Sequence, residues 1–582
     1  MFESGFIFMH VEERAMKLLN NKVPIKPANL AQDNTFKLAL INETELQISP
    51  STKEISAYLC DKPGSNYNLS SNAWRFHISV YAGLISNCLS MKKKVEGPPY
   101  TLIKALADSY IKKQTQAPAV NIVSRLESLD GGCVIQLQPH QIEGVQVACE
   151  RNYRLLIADE MGLGKTLQAI SIAKTYLQEH SNETKKGLFI VAPSSNVPMW
   201  VGEVKKYITE VCYDVKEWRY AQKSNTSGIV ALITSYNGAS TYIDEIMPGD
   251  FFMGIADESQ SLKNNESKRA QALVPFLTKL RSVILLSGTP ALSNTYELYT
   301  QISIIHPTLF SYKDYHERYC KISDNHYQAA NPKFKHLIKY RGSKNLDELK
   351  IAVNELVLIR RVKQDCLQLG KKRRIHVTFI SDLVKKEMRS NVPINTKTLQ
   401  NELLLEYNKA AKEKLPDILC FIKQARNKTK EKIIIFAHHK DTLNALYMEF
   451  KDRAIKIDGS TARQKREILC DKFRNCPDID VAVLSLKACS TGLTLVCATM
   501  VIFAELPWTP GDLHQAEDRI YRIGQTQTVK IYYLIASHVD KHMWPLLKRK
   551  HNTLNGIGIT EKDNEQIILE TFDPKQKSIW QF

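Results

Sequence analysis

The chain has 582 residues, 43% hydrophobic and 24% charged, a soluble globular composition long enough for several domains, since single cores rarely grow past about 250–300 residues. Lys+Arg number 79 against 61 Asp+Glu, and the resulting +18 attracts polyanions, so nucleic acid or an acidic membrane surface is the first partner to consider. No apolar run approaches the roughly 18 residues that span a bilayer, and the 12 cysteines show neither a C-x-x-C pair nor Cys/His ligand spacing, which predicts reduced intracellular thiols and no zinc site.

Residues 1–51 are expected to be poorly defined. Their start, "MFESGFIFMHVEER", has an acid where a secretory leader needs a basic region, and "VEERAMKLLNNK" reads as a short amphipathic helix, packed on the body or docking a partner. Residues 52–113 predict a small α+β module. In "YNLSSNAWRFHISVY", Tyr67 and Leu69, then Trp74, Phe76 and Ile78, alternate around "SSN" as in a hairpin, and "VYAGLISNCL" and "GPPYTLIKALADSYIKK" follow as helices. A linker spans 114–136. Over 137–305 the β-like runs "RLLIA", "GLFIVA", "IVALITSY", "FFMGIAD" and "SVILLSG" alternate with helical patterns, which implies βαβ units and a parallel sheet. Residues 306–410 interrupt that rhythm with aromatic, basic and helical segments, including "LGKKRR". It resumes over 411–560 with "KIIIFA", "AIKI", "VAVLSL", "MVIFAE" and "KIYYLIA", and 561–582 form a tail. The fold class is therefore α/β: two tandem lobes with parallel sheets, an inter-lobe insertion, and a small N-terminal α+β module.

"ADEMGLGKT" lies between the strand "RLLI" and the helix "LQAISIAKTYL". Its glycine-broken turn before a helix N-terminus can cradle phosphates on backbone N–H groups, so Asp159, Glu160, Met161, Gly162, Leu163, Gly164, Lys165 and Thr166 form the expected ATP loop. Lys165 reaches the β/γ oxygens and Thr166 offers Mg²⁺ a hydroxyl; Asp159 stands where the general pattern has Gly. The strand "FFMGIAD" ends in Asp257-Glu258, the arrangement in which one carboxylate holds Mg²⁺ and its neighbour activates water. On the second lobe, "HQAEDRIYRIGQ" spaces Gln515, Arg519 and Arg522 near one helical repeat, and such arginines can act as fingers on a γ-phosphate bound to the first lobe.

These motifs, in this order from about Leu137 to Ala536, resemble the SWI/SNF-type ATPases of helicase superfamily two. The resemblance implies two RecA-like lobes that track a DNA backbone chiefly through phosphate contacts. "LQPHQIEGV" resembles the adenine-reading segment and implicates Gln141. "DEMGLGKT" is the family's own form of the loop, and "DESQ" stands for its D-E-x-H box with Gln260 replacing the usual His. "SGTP" (Ser287, Gly288, Thr289, Pro290) resembles the motif linking nucleotide to DNA. "LIRRVKQD", with Arg360 and Arg361, and "LGKKRR" resemble the basic segment joining the lobes, with Gly370 where Pro is common. "IDGST" (Gly459, Ser460, Thr461) and "STGLTL" (Thr491, Gly492) resemble second-lobe coupling motifs, the latter lacking the usual paired glycines.

Within that family, "FAELPWTPGDLHQAEDRIYRIGQT", the insertion segments "RYC" and "YRGSKNLDELK", and a module resembling a single HARP domain around Trp74 and Phe76 point to the A-like annealing helicases. That branch implies an ATP- and Mg²⁺-dependent enzyme in the nucleus that rewinds separated strands and remodels branched DNA or single-/double-strand junctions such as stalled forks. A single-strand DNA-binding protein is a possible partner, and no membrane is involved. A chromatin-remodelling ATPase and a non-catalytic DNA-binding scaffold are the alternatives.

Overall fold

The computed structural model describes residues 35–115, 135–180, 187–208, 210–212, 230–322, 340–367, 369–380, 399–429, 431–486, 495–522, 524–559 and 567–574. The chain divides into two compact units. One joins the N-terminal residues to His306–Tyr319 and Lys344–Val357, and the other holds the remainder.

In the first unit β1 (Thr35–Leu40), β2 (Glu45–Ser49), β3 (Asn66–Asn68), β4 (Ala73–His77) and β5 (Lys94–Glu96) form a sheet of order β3-β4-β2-β1-β5. The β3–β4 hairpin is the one expected around "SSN", with Tyr67 opposite Trp74. The sheet nevertheless begins inside the stretch 1–51 that was expected to be poorly defined. Phe36, Leu38 and Leu40, then Leu46 and Ile48, alternate into its core, and a polar turn between two short runs masks that period in the sequence. Phe76 and Ile78 are buried, Trp74 is half-buried with its Nε1 donating to Ser56 Oγ at 3.0 Å, and Leu69 is exposed.

This unit also claims two helices of the expected insertion. Tyr312–Tyr319 and Leu346–Leu356 are tied together where Arg318 and Tyr319 donate to the buried Glu348, at 3.0 and 2.8 Å. Thr101 and Lys113, on the helix Tyr100–Thr115, bond Leu309 O and Glu355, each at 2.6 Å. The module is thus a composite, and its expected limits 52–113 are too narrow at both ends.

In the second unit β6 (Arg154–Ile157), β7 (Gly187–Ala192), β8 (Glu210–Cys212), β9 (Val230–Ser235), β10 (Phe251–Asp257) and β11 (Ser282–Leu286) build the first lobe. A small hairpin, β12 (Cys320–Ile322) with β13 (Tyr340–Ser343), follows, and then β14 (Leu358–Ile359) returns to pair with β6. The seven strands run in the order β14-β6-β11-β10-β7-β9-β8, every pairing parallel. The second lobe has β15 (Lys372–Phe379), β16 (Ile433–Ala437), β17 (Ala454–Ile457), β18 (Val481–Ser485), β19 (Met500–Phe503), β20 (Val529–Ile535) and β21 (Ile568–Phe572) in the order β17-β18-β16-β19-β20-β15-β21, again all parallel. Strands such as β7, β10, β16 and β18 are buried along their whole length, as sheets covered on both faces require.

The fold is the expected pair of tandem RecA-like lobes. Its borders differ, because β14 and β15, both inside 306–410, complete the first and second sheets respectively, and β21 is an edge strand inside the expected tail. The N-terminal helix expected at "VEERAMKLLNNK", most of the linker, and Thr491 with Gly492 lie outside the described residues. Among the described residues no helix is long and apolar enough to cross a membrane.

Candidate nucleotide site

The site forms at the carboxyl ends of β6, β10 and β11, the place where open parallel sheets bind ligands. After β6 the loop turns through Gly162 (φ +91°) and Gly164 (φ +75°) into the helix Lys165–Glu179. Gly164 needs glycine twice: its backbone is left-handed, and a Cβ there would lie 2.2 Å from Gln141 Nε2. Lys165 Nζ donates to the carbonyls of Asp159 and Glu160 at 2.8 and 3.1 Å. Its surroundings lower its pKa by desolvation, against the pull of Glu258, Asp159 and Asp257. Gly288 lies against the loop as well, since a Cβ on it would meet Met161 Cγ at 2.4 Å and Lys165 Nζ at 3.5 Å.

The two acids that open the loop face protein. Asp159, fully buried, accepts from Arg361 Nε at 2.9 Å and Nη2 at 2.6 Å, and from Gln168 Nε2 at 3.0 Å. Glu160 accepts the Lys363 N–H at 2.7 Å, and Arg360 donates to Ala158 O at 2.6 Å and Gly288 O at 3.3 Å. The Asp159 carboxylate, expected among the ATP-binding groups, therefore braces the loop. Arg360 and Arg361, expected to couple to DNA, turn inward and grip it. The physical reason is β14: its pairing with β6 carries residues 360–363 directly past the loop, with Ala158 N–H donating to Ile359 O at 2.8 Å. Gln141 is also committed locally. Its Oε1 accepts the Gln138 N–H at 2.9 Å and its Nε2 donates to Leu163 O at 3.1 Å, so the expected adenine reader here supports the loop.

At the end of β10, Asp257 Oδ2 accepts from Asn196 Nδ2 at 3.0 Å and Trp200 Nε1 at 2.9 Å. These donors fix the carboxylate and leave Oδ1 with no hydrogen bond among the described residues. That oxygen and the Thr166 hydroxyl are hard donors of the kind Mg²⁺ takes when phosphate and water complete its shell, so the residues fit the ion. Glu258 sits in the left-handed region at φ +51°. Burial, then Asp257, pushes its carboxyl up, opposed by Gln260, Lys165 and Arg519. A carboxylate raised this way and close to both Lys165 and Arg519 has the properties of a general base.

From Glu258 a hydrogen-bonded chain crosses to the second lobe. Gln260 Nε2 donates to Glu258 Oε2 at 2.6 Å and Ser287 Oγ donates to Gln260 Oε1 at 2.6 Å. Thr289 N–H donates to Ser287 Oγ at 3.1 Å, and Gln515 Nε2 donates to Thr289 Oγ1 at 3.2 Å. Gln260 thus serves here as both donor and acceptor, which a histidine ring also can. Pro290, the last of the four, is fixed by Gln301 Nε2 on its carbonyl at 2.6 Å.

The segment Gln515–Arg522 is spent residue by residue. Glu517, 1% exposed, takes Arg374 Nη2 at 2.8 Å and lies 3.7 Å from Lys372 Nζ, both on β15. Burial pushes the Glu517 carboxyl up, but Arg374 and Lys372 outweigh it and hold it at about 2. Half of the "KKRR" run is consequently core ion pairing. Gly370, just before it, accepts the Tyr521 hydroxyl at 2.8 Å on its carbonyl, and a Cβ there would lie 2.1 Å from Gln527 O, which excludes the proline common at this position. The arginines differ from the acids. Arg519 is 4% exposed, yet its Nε has no hydrogen-bond partner among the described residues. Arg522 lies at the loop, its Cβ 3.3 Å from where a Cβ on Gly162 would be.

The second lobe also carries the tight turn of "IDGST". Ser460 N–H and Oγ donate to Asp458 Oδ1 at 2.9 and 2.6 Å, and Asp458 N–H donates to Thr461 Oγ1 at 3.0 Å. The Ser460 bonds outweigh desolvation and hold the Asp458 carboxyl at about 2. Gly459 and Ser460 are exposed at its tip, and a Cβ on Gly459 would meet nothing within 4 Å.

Comparison with known families matches residues 140–432 to the SNF2-related domain and 411–524 to the helicase conserved C-terminal domain. The chain belongs to the SNF2-related family. Its relatives include the SWI/SNF-related matrix-associated actin-dependent regulator of chromatin subfamily A-like protein 1 of Xenopus laevis, 34% identical over 88% of this chain and 54% of that protein. The Caenorhabditis elegans homolog of that protein is 30% identical over 94% of this chain and 80% of its own length. Human DNA annealing helicase and endonuclease ZRANB3 is 34% identical over 81% of this chain and 45% of that protein. The chain spans about half the length of the vertebrate relatives. A Sulfolobus solfataricus SWI2/SNF2 ATPase core in complex with dsDNA matches at 21% identity, covering 69% of this chain and 88% of that one, with a TM-score of 0.34.

Sequence reasoning did not single out Lys363, Asn196 or Trp200. The first sits in "LIRRVKQD", which reads only as resembling the basic segment joining the lobes, and the others lie in "PSSNVPMW", where nothing marks a partner of Asp257.

Proposed function

We propose that this SNF2-related chain is an ATP-dependent DNA translocase that rewinds separated strands and remodels branched DNA, acting in the nucleus. The observation that carries the reading is the meeting of Arg522, from the second lobe, with the Gly162 turn of the first, beside Arg519 and Glu258. ATP would lie with its phosphates on the Gly162–Thr166 loop. Thr166 and Asp257 would hold its Mg²⁺, which supplies charge neutralisation at the β/γ oxygens. Glu258, close to that loop, takes the proton of an attacking water. Lys165 and the two arginines stabilise charge on the transferring phosphoryl group. Because the arginines belong to the other lobe, turnover requires closure, and loss of the γ-phosphate removes the ligand that favours it; the chain Glu258–Gln260–Ser287–Thr289–Gln515 is a second path of the same coupling.

The +18 net charge and the exposed Gly459–Ser460 turn support a polyanionic track held by its phosphates. The annealing activity named for human ZRANB3 supports the branched-DNA substrate. Steady-state ATPase measured side by side with single-stranded, duplex, forked and nucleosomal DNA tests the reading. Greatest stimulation by forks is expected. Greatest stimulation by nucleosomes would favour chromatin remodelling, and no hydrolysis with any DNA would favour a scaffold.

A further inference from the structure

Lys363 opens a short helix, Lys363–Cys366, four residues past the end of β14, and is 1% exposed. Its two ends engage opposite lobes. The backbone N–H donates to Glu160 Oε2 of the phosphate loop at 2.7 Å. The ammonium donates to Tyr521 O at 2.6 Å, pairs with Asp518 and lies 5.7 Å from the centre of the Tyr521 ring. Asp518 immediately precedes Arg519, and Tyr521 immediately precedes Arg522. Lys363 Cε lies 4.0 Å from the Cβ position of Gly162, beside Arg522 Cβ.

A buried ammonium is costly unless it is paired, and both partners of this one come from the arginine-bearing segment. Movement of that segment away from the loop would strip Lys363 of both, while its backbone stays anchored to Glu160. The cost selects one register of segment against loop, and it does so without nucleotide. We propose that Lys363 is a positioning residue that sets Arg519 and Arg522 against the phosphate loop. The proposal rests on the reading that this cleft hydrolyses ATP, and it adds a protein-only contact that fixes where the fingers stand.

The test compares the unsubstituted protein with Lys363→Met, which keeps the length and loses the charge, and Lys363→Arg, which keeps the charge. Two readouts are taken: ATP affinity against kcat, and hydrogen exchange at the amides of Arg519 and Tyr521 in nucleotide-free protein. These amides donate to Ala516 O and Glu517 O at 3.3 and 3.0 Å. Lys363→Met should keep ATP affinity within about twofold, lose roughly tenfold or more in kcat, and exchange faster at both amides; Lys363→Arg should recover much of each. Should Lys363→Met not fold, Asp518→Asn carries the same expectations from the other side of the pair. Unchanged kcat and exchange, or equal losses in affinity and kcat, overturn the proposal. Were the unsubstituted protein to hydrolyse no ATP, the functional reading would fall, and exchange at the two amides would still decide the clasp.

Discussion

On the first-lobe side of the nucleotide cleft, charged side chains already have protein partners: Asp159 is held by Arg361 and Gln168, Glu160 by the Lys363 N–H, Asp257 by Asn196 and Trp200. On the second-lobe side, the acids of "QAEDR" are paired, with Glu517 on Arg374 and Asp518 on Lys363, but the buried Nε of Arg519 has no hydrogen-bond partner among the described residues. The first arrangement makes a rigid cradle, because breaking any of those pairs strands a charge in the protein. The second leaves one buried guanidinium N–H, the Arg519 Nε, with no hydrogen bond among the described residues and so open to a phosphate oxygen. A site built this way should bind nucleotide through the first lobe and commit to chemistry through the second.

The largest expected effects separate those roles. Lys165→Ala should abolish hydrolysis, and Glu258→Gln should bind ATP while turning over very slowly, as seen by equilibrium binding alongside single-turnover rates; parental turnover in Glu258→Gln would remove it as the base. Arg522→Ala should lower turnover by roughly 10³-fold with ATP affinity nearly unchanged. Parallel losses in both would make Arg522 structural and erase the contrast between the lobes.

Stability should show the contrast in size. Arg361→Leu takes the guanidinium from the fully buried Asp159 carboxylate and should cost about 3–5 kcal/mol in denaturant unfolding. Arg519→Met removes a guanidinium whose Nε has no hydrogen bond among the described residues, and should cost less stability than Arg361→Leu while still suppressing turnover. A comparable stability loss in both would mean that Arg519 has a protein partner and is not held in reserve.

Acid should loosen the second lobe through Glu517. Its folded-state pKa lies below the ordinary carboxylate value, so its contribution is fully present above about 4.5 and is lost as pH falls toward about 2. The size is of order 3 kcal/mol. Denaturant midpoints between pH 5 and 2 should therefore fall less steeply in Glu517→Gln, whose stability is already reduced at neutral pH. The smallest effect on hydrolysis should come from the other unit, where Phe76→Ala empties a fully buried site and should cost about 3–5 kcal/mol locally while basal ATPase persists. Strand annealing by the same preparation shows whether that unit directs the motor to branched DNA. Deleting the N-terminal residues is a poorer test, because it would also bare the faces of Tyr312–Tyr319 and Leu346–Leu356.

The sequence alone determined the two parallel sheets, the β3–β4 hairpin, and the residues that form the loop, the Asp257-Glu258 pair and the arginine segment. Each is written locally: apolar runs of strand length, glycines before a helix, an acidic pair closing a strand, arginines one helical repeat apart. Which charges face ligand and which face protein was not written there. "RR" after β14 and "KKRR" on β15 have the composition of a solvated basic stretch. Only the pairing of β14 with β6 and of β15 with β20 carries Arg360, Arg361, Lys363, Lys372 and Arg374 inward onto buried acids. The same holds for the helices Tyr312–Tyr319 and Leu346–Leu356, whose chain position suggested an insertion between lobes but whose Arg318–Glu348 pair belongs to the N-terminal unit. Charge pairing between segments far apart in sequence leaves no local period, so only the tertiary structure could decide it.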